Sequence, residues 1–131
     1  MSNPVSLISS AVITSDELAA FLPTVGARAD PHRASVGRLS EGNRHVWIGI
    51  DNTPLEDFER HELDVVTRLL GDTPRTLISL EISWSSGSQQ LAIRFALAAA
   101  KHWPCVVDDG YDRIYTPQQL EEMHQTGATF W

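Results

Sequence analysis

The segment that most constrains this fold is an alanine-rich stretch, residues 89–102, which has helical spacing but almost no polar face. Its apolar positions are Leu91, Ala92, Phe95, Ala96, Ala98 and Ala99. A helix with one apolar stripe packs against one neighbour, whereas a helix that is apolar around most of its circumference must be buried further. Pro104 predicts where this helix ends. The rest of the chain must therefore cover it on more than one side.

Short strand-like runs alternate with helical stretches in the remaining sequence. Strands are predicted over residues 5–14, 35–39, 45–50, 76–84, 105–107 and 113–115, and helices over 15–22, 54–70, 89–102 and 117–124. Residues 23–34 are rich in turn formers and are predicted to be a loop, while Gly71 and Thr116 are predicted helix caps. A length of 131 residues fits one domain spanning residues 1–131. The order predicts an α/β (mixed α+β) fold, with a mixed sheet of five or six strands and three or four packed helices.

The charge and cysteine content exclude several kinds of partner. Ten Lys plus Arg and seventeen Asp plus Glu give a net charge of −7, whereas nucleic acids and anionic membranes attract clustered basic residues. The single cysteine cannot form an internal disulfide. The longest apolar run is far shorter than the ~20 residues of a membrane helix, and the N-terminus lacks a signal-peptide pattern. We therefore expect a cytoplasmic protein that binds neither nucleic acid nor membrane.

Patterns for metal binding and catalysis are incomplete in this sequence. In a zinc-binding helix starting at His61, the second histidine would fall on Val65. The aspartate-rich run over residues 108–112 lacks the ligand spacing of a calcium loop. Cys105 lies in a predicted interior strand, where a thiol has a raised pKa and behaves as a small apolar side chain. These patterns predict no metal, no cofactor and no catalytic activity.

The acidic surplus is confined to two segments. Residues 51–64 hold six acidic residues and one arginine, and residues 108–122 hold five acidic residues and one arginine, so their local charges are −5 and −4. A solvated helix face and a turn would account for both segments. The functional alternative is an acidic surface that attracts and docks a basic protein. Its candidate contact residues are Asp51, Glu56, Asp57, Glu59, Glu62, Asp64, Asp108, Asp109 and Asp112.

A serine-rich loop offers a different function. Ser85, Ser86, Gly87 and Ser88 connect a predicted strand to the start of the alanine-rich helix, where amides and hydroxyls can hold an anion. The glycine and lysine spacing of a P-loop is missing, and serines at this position commonly cap the helix. The alternative hypothesis is a small domain or enzyme that binds a phosphate or nucleotide ligand at this loop.

The motifs of residues 76–123 follow a recognisable order. A strand leads into Ser-Ser-Gly-Ser, then an alanine-rich helix ending His-Trp-Pro, then Cys-Val-Val-Asp-Asp-Gly-Tyr-Asp-Arg-Ile-Tyr-Thr-Pro-Gln-Gln-Leu. This order resembles small bacterial immunity proteins, which neutralise contact-dependent toxins or secretion-system effectors. The resemblance implies a non-enzymatic cytoplasmic protein that binds one cognate toxin, often by covering a basic active site with an acidic surface.

The leading hypothesis is therefore occlusion of a toxin's basic active site by the acidic residues given above. Phe130 and Trp131 are candidate anchors, because exposed aromatic residues are enriched at the energetic centres of interfaces. We expect both rings to fold back onto the domain. A protein–protein adaptor with no toxin partner is a further alternative.

Overall fold

A computed structural model describes residues 2–111 and 113–131, and its seven strands form one antiparallel sheet. The strands are β1 (Ser2–Ser9), β2 (Arg28–Asp30), β3 (Arg33–Glu41), β4 (Arg44–Ile50), β5 (Thr76–Ser83), β6 (Cys105–Asp108) and β7 (Ile114–Tyr115). Their order in the sheet is β2-β3-β4-β5-β1-β6-β7. The five α-helices are α1 (Ser15–Phe21), α2 (Thr53–Asp57), α3 (Arg60–Leu70), α4 (Ser88–His102) and α5 (Pro117–Thr126). The predicted α/β class with mixed α+β content is confirmed. The predicted mixed sheet of five or six strands is wrong, because the sheet has seven strands and each of their pairings is antiparallel. The described residues also form five α-helices instead of three or four, because the predicted helix over residues 54–70 is divided in two.

The first face of the sheet carries the main core. Val5 and Leu7 of β1 pair with Leu80 and Ile78 of β5, and all four side chains are buried. Helices α1, α4 and α5 contribute to the same apolar cluster. Because side chains alternate along a strand, the residues between these positions point to the second face of the sheet.

Helix α4 is covered on more than one side, as its composition predicts. It contacts β4, β5 and β6 of the sheet and packs against α5. Phe95 also meets Phe21 of α1 edge to face, with ring centroids 5.9 Å apart. The helix ends at His102, where the Trp103 N–H donates to the Ala99 carbonyl at 2.8 Å.

The predicted single helix over residues 54–70 is two helices. Phe58 and Glu59 between α2 and α3 have extended backbone, with ψ of 134° and 153°. Phe58 packs against a small second cluster, which also receives Leu55 of α2 and Val66 of α3. The break therefore lets both helices direct apolar side chains onto the second face of the sheet. Gly71 ends α3 with φ of 79°, which confirms the predicted cap.

The predicted loop over residues 23–34 contains structure. A 3₁₀ turn, Leu22–Val25, is followed by strand β2. Gly37 on β3 makes this packing possible, because an added Cβ would lie 2.7 Å from the Arg28 carbonyl oxygen and would also collide with Leu22. Short turn-rich strands of this kind give little periodic signal in a sequence.

Helices α2 and α3 cover only part of the second face of the sheet. The second cluster joins α2 and α3 to Ile8 of β1, Leu77 of β5 and Val106 of β6. Strands β2, β3 and β4 contribute no buried residue to this cluster, and Trp47 of β4 remains 39 % exposed. Among the described residues, no helix is long and apolar enough to cross a membrane.

Candidate acidic binding site

The first acidic segment lies on the surface at α2 and α3. Glu56, Asp57, Glu59 and Asp64 are exposed, and Glu62 is half-buried. Asp51, just after β4, is also exposed, and its carboxylate accepts a hydrogen bond from the Thr53 N–H at 3.0 Å.

One cavity is lined by a carboxylate from each acidic segment. It has a volume of about 270 Å³ and is lined by His61, Glu62, Val65, Asp108, Gly110, Tyr111 and Ile114, which together we call the acidic cleft. Glu62 comes from α3 and Asp108 from the end of β6. Helix α3 packs against β6, and Val66 and Val106 are buried in the same second cluster. The structure therefore brings together Glu62 and Asp108, whose adjacency the sequence could not establish.

Asp109 does not belong to the exposed acidic surface, which corrects its inclusion among the predicted contact residues. The residue is 2 % exposed. Its carboxylate accepts hydrogen bonds from the Tyr111 N–H at 2.8 Å, the Arg113 N–H at 3.3 Å and the Tyr115 hydroxyl at 3.2 Å. Asp109 therefore fixes the turn between β6 and β7, which forms one wall of the acidic cleft. Asp112, another predicted contact, lies outside the described residues.

The Tyr115 hydroxyl is tied to the same buried carboxylate. Burial, and then the negative charge of Asp109, raise the pKa of Tyr115 above its ordinary value. Each effect disfavours the tyrosinate form. Tyr115 therefore remains a hydrogen-bond donor to Asp109 at neutral pH and supports the turn rather than taking part in proton transfer.

The C-terminal aromatic pair divides between core and surface. Phe130 is buried against Tyr115, with ring centroids 5.4 Å apart, as expected for a ring that folds back. Trp131 is 37 % exposed, and its indole N–H donates to the Asp109 carbonyl at 3.2 Å. The Trp131 ring stands edge to face against Tyr111 at 6.1 Å. The C-terminus is therefore anchored to the same turn that carries the acidic cleft.

Tyr111 of the acidic cleft adjoins two further exposed aromatic residues, and we call Trp84, Tyr111 and Trp131 the aromatic rim. Trp84 and Tyr111 are each 64 % exposed. Trp84 and Trp131 line one cavity of about 260 Å³, whereas Tyr111 lines the acidic cleft and contacts Trp131. Neither Trp84 nor Tyr111 was predicted from the sequence as a contact residue. The sequence signal that could have identified these two residues is a large aromatic side chain beside a turn, shortly after the end of a strand.

The serine-rich loop is largely occupied with internal contacts. Ser88 is fully buried, and its hydroxyl lies 2.6 Å from that of Ser83. The residue at the cap position of α4 is Gly87, which has φ of 88° and gives no side-chain cap. Arg44 packs against this glycine, since an added Cβ would lie 2.7 Å from the Arg44 Nε. A basic group therefore does lie near the loop, although the sequence suggested none.

Two other candidate groups have little capacity for chemistry. Cys105 is buried, as the sequence predicts, and burial raises the pKa of its thiol to about 12. Donor atoms of Glu59, His61 and Glu62 lie within 4.8 Å of one another, and His61 Nδ1 is 3.3 Å from Glu59 Oε2. Glu59 and His61 are exposed to solvent. Ordinary charged side chains at the N-terminal end of α3 therefore account for this cluster.

Comparison with known proteins gives no family assignment for this fold and site. No family model matches the chain, no curated protein is significantly similar to it, and no solved structure is significantly similar to its fold. The function is therefore inferred from the residues and geometry of the described chain.

Proposed function

We propose that this chain is an antitoxin-type immunity protein that binds a cognate bacterial toxin in the cytoplasm and occludes its active site. It would act by binding alone, without catalysis or a cofactor. The observation that best supports this proposal is that one carboxylate of each acidic segment, Glu62 of the first and Asp108 of the second, lines the acidic cleft.

The distribution of charge supports a basic partner. The two acidic segments hold −9 of formal charge, while the remaining residues are slightly positive. Such an asymmetric field orients an approaching basic protein and raises its association rate, and salt screens the effect. The acidic segments therefore provide both attraction and orientation.

The aromatic rim supports the proposal through a second kind of contact. Exposed tyrosine and tryptophan are over-represented among the residues that dominate binding energy. A guanidinium or ammonium group of the partner can lie over Tyr111 or Trp131, and such cation–π contacts contribute roughly 0.5–2 kcal/mol. Carboxylates beside these rings can then pair with the same cation.

The surface combines features that recognise arginine and lysine, the residues that line the active sites of enzymes acting on polyanions. The resemblance of residues 76–123 to immunity proteins points to the same class of partner. A solvated acidic face without a partner would explain the charges alone. It would not explain why Tyr111 of the cleft and the adjoining Trp131 and Trp84 are exposed, since large exposed aromatic patches usually mark interaction sites.

The test is rescue from toxicity. The toxin candidate is the C-terminal domain of a secreted protein whose gene neighbours the gene of this chain. This domain is expressed in a bacterial host, with and without the chain. We expect the chain to restore growth, and the purified pair to associate at a rate that falls strongly with salt. Reversal of charge in Glu62→Lys/Asp64→Lys should slow association at least tenfold and abolish rescue.

A matched control is Asp16→Lys/Glu17→Lys, which makes the same charge change on α1, outside both acidic segments. Both control side chains are exposed. This variant should rescue growth like the wild type, and thermal melts should show that both variants remain folded. Equal association rates for the two double variants would contradict an electrostatic role for the acidic cleft.

The competing hypothesis, a phosphate or nucleotide site at the serine-rich loop, has weaker support because the Ser88 hydroxyl is buried against Ser83. A thermal-shift screen with phosphorylated ligands separates the two hypotheses, since a ligand that binds only the folded protein raises its Tm. A saturable shift that is lost in Arg44→Ala would favour the ligand hypothesis. The immunity hypothesis predicts no shift.

A further inference from the structure

Four exposed side chains form a row across the open part of the second sheet face, and the charge changes sign along it. Arg28 of β2 pairs with Arg38 of β3, which pairs with Trp47 of β4. Trp47 in turn pairs with Glu81 of β5. Residues directly opposite each other on neighbouring strands lie on the same face of the sheet. We call Arg28, Arg38, Trp47 and Glu81 the cross-strand row, which is basic at the β2 side, aromatic in the middle and acidic at the β5 side.

The surface around the cross-strand row has balanced charge. Two adjoining concavities of about 350 and 290 Å³ lie over it, and Val36 and Trp47 line both. Three arginines and three carboxylates line the two concavities: Arg28, Arg33, Arg38, Asp30, Asp51 and Glu81. A uniformly acidic or uniformly basic partner therefore gains no net attraction here. A partner that carries both signs, in the complementary arrangement, does.

Small side chains lie beside the tryptophan of the row. Val36 of β3 pairs with Gly49 of β4, and Gly49 pairs with Ser79 of β5. All three are half-buried, and they line the second concavity together with Trp47. Sheet faces that pack on each other lie about 10 Å apart with their strands nearly aligned. The low surface beside Trp47 gives room for the side chains of a second sheet.

We propose that the open sheet face binds a second copy of this chain, face to face, about a two-fold axis that runs along β4. This axis reverses the order of the cross-strand row in the second copy. Arg38 of each copy then faces Glu81 of the partner subunit, and Trp47 lies at the axis against Trp47 of the partner subunit. Two charge pairs and one aromatic contact form together.

The order of charges in the row favours a second copy over other occupants. An interface with two-fold symmetry must be complementary to itself. A row with one sign at both ends would bring like charges together, whereas this row has opposite signs on the two sides of Trp47. Nucleic-acid binding depends on neutralising many phosphates, and the carboxylates in the same concavities oppose it.

Analytical ultracentrifugation of the full chain measures the equilibrium between monomer and dimer. Moderate salt is used, because it screens the repulsion between two chains of net charge −7. We expect a reversible dimer at micromolar concentrations. Trp47→Ala should weaken it about tenfold or more, since tryptophans at the centre of an interface tend to dominate binding. The matched control is Trp84→Ala, an exposed tryptophan outside the row, which should dimerise like the wild type.

An exchange of charges tests the two-fold geometry directly. Arg38→Glu alone and Glu81→Arg alone should each be monomeric, because each variant places like charges opposite each other. An equimolar mixture of these two variants should dimerise, because each supplies the charge that the other lacks. A folding defect in either variant cannot produce this recovery. Arg68→Glu changes an exposed arginine on α3 and should dimerise like the wild type.

A wild-type chain that stays monomeric up to about 1 mM would overturn the proposal. A charge-variant mixture that stays monomeric, or a dimer that Trp47→Ala leaves unchanged, would also overturn it. The dimer is independent of the immunity function, so Glu62→Lys/Asp64→Lys should still dimerise and Trp47→Ala should still rescue growth. A monomeric wild type together with loss of rescue in Trp47→Ala would assign this face to the toxin instead.

Discussion

The acidic cleft lies on a differently built part of the sheet from the open surface around Arg28, Arg38 and Trp47, which we call the sheet patch. Beneath the cleft side, α2 and α3 bury Ile8, Leu77 and Val106, and the buried Asp109 fixes the adjoining turn. Within the described part of the chain, the two concavities over the sheet patch are lined by residues of strands and turns and by no helix. The cleft is therefore held in place by buried contacts, whereas the patch depends on neighbouring surface residues. We therefore expect substitutions of the buried residues beneath the acidic cleft to lower the free energy of unfolding strongly. Substitutions in the sheet patch should change it little.

The largest effect is expected from Ile8→Ala. Ile8 is fully buried in the second cluster, and truncation of such a side chain removes apolar contacts and leaves a cavity. The free energy of unfolding should fall by about 2–5 kcal/mol, as measured by urea denaturation. The matched control is Val12→Ala, because Val12 is 67 % exposed. A loss in Ile8→Ala no larger than in this control would show that α2 and α3 do not stabilise the sheet.

The next effect is expected from Asp109→Asn, which keeps the shape of the side chain and removes its charge. The amide loses acceptor capacity toward Tyr111, Arg113 and Tyr115, and a buried group left without a partner costs roughly 1–3 kcal/mol. Denaturant unfolding measures the loss. Association with a basic partner should also weaken, because the turn beside the cleft is less well fixed. Unchanged stability would mean that the turn does not depend on this carboxylate.

The free energy of unfolding is expected to depend on pH through Cys105 of β6, the strand that also carries Asp108 of the cleft. Burial raises the pKa of Cys105 from its ordinary value near 9 to about 12. Between these values the unfolded chain loses the thiol proton and the folded chain keeps it, so stability declines as pH rises. The slope is at most about 1.4 kcal/mol per pH unit. Cys105→Ala should be less stable at pH 7 but should lose less of its stability between pH 8 and pH 10.

The thiol is not the only group that titrates in this range. Tyr115, with its raised pKa, contributes a loss of the same sign above its ordinary value near 10. Unfolding curves for Cys105→Ala, Tyr115→Phe and the double variant separate the two contributions. Parallel pH profiles for the wild type and Cys105→Ala would contradict the burial of the thiol.

The smallest effect is expected in the sheet patch and has the opposite sign. Arg28→Gln removes one of two like charges that face each other across β2 and β3, so the protein should gain about 0.2–1 kcal/mol. The gain should shrink as salt screens the repulsion. Arg68→Gln serves as the comparison on α3. A loss of stability in Arg28→Gln would mean that this arginine contributes packing that outweighs the repulsion.

The sequence predicts the elements with strong periodicity and clear caps. Helix α4 and the start of α5 follow from apolar spacing and from the capping box of Thr116 and Gln119. Strand β2 was not predicted, because three residues after a turn are too few to show the alternation of apolar and polar side chains that marks a strand. The helix over residues 54–70 was predicted as one unit because its apolar spacing continues through Phe58, where the backbone becomes extended.

The sequence predicted which segments of the candidate site are acidic. It did not predict that residues of both segments line one cleft. Local charge identified both acidic segments, yet only the tertiary packing of α3 against β6 brings them into one cleft. Burial of Asp109 could not be read from a run of aspartates, since successive aspartates in a turn bond nearby N–H groups whether or not they are exposed. Trp84 was assigned to the alternating strand that includes Leu80 and Ile82. The strand ends at Ser83, and this leaves the indole ring on the surface.

The sheet ends on both sides in very short strands, β2 with three residues and β7 with two. Strands of this length offer few free backbone groups to a neighbouring chain. Partners must therefore recognise side chains on the faces and turns rather than extend the hydrogen-bonded ladder. Since backbone groups are common to every sequence and side chains are not, partner preference here can change by single substitutions while the fold stays the same. A lineage of such proteins can thus follow a changing partner without altering its architecture.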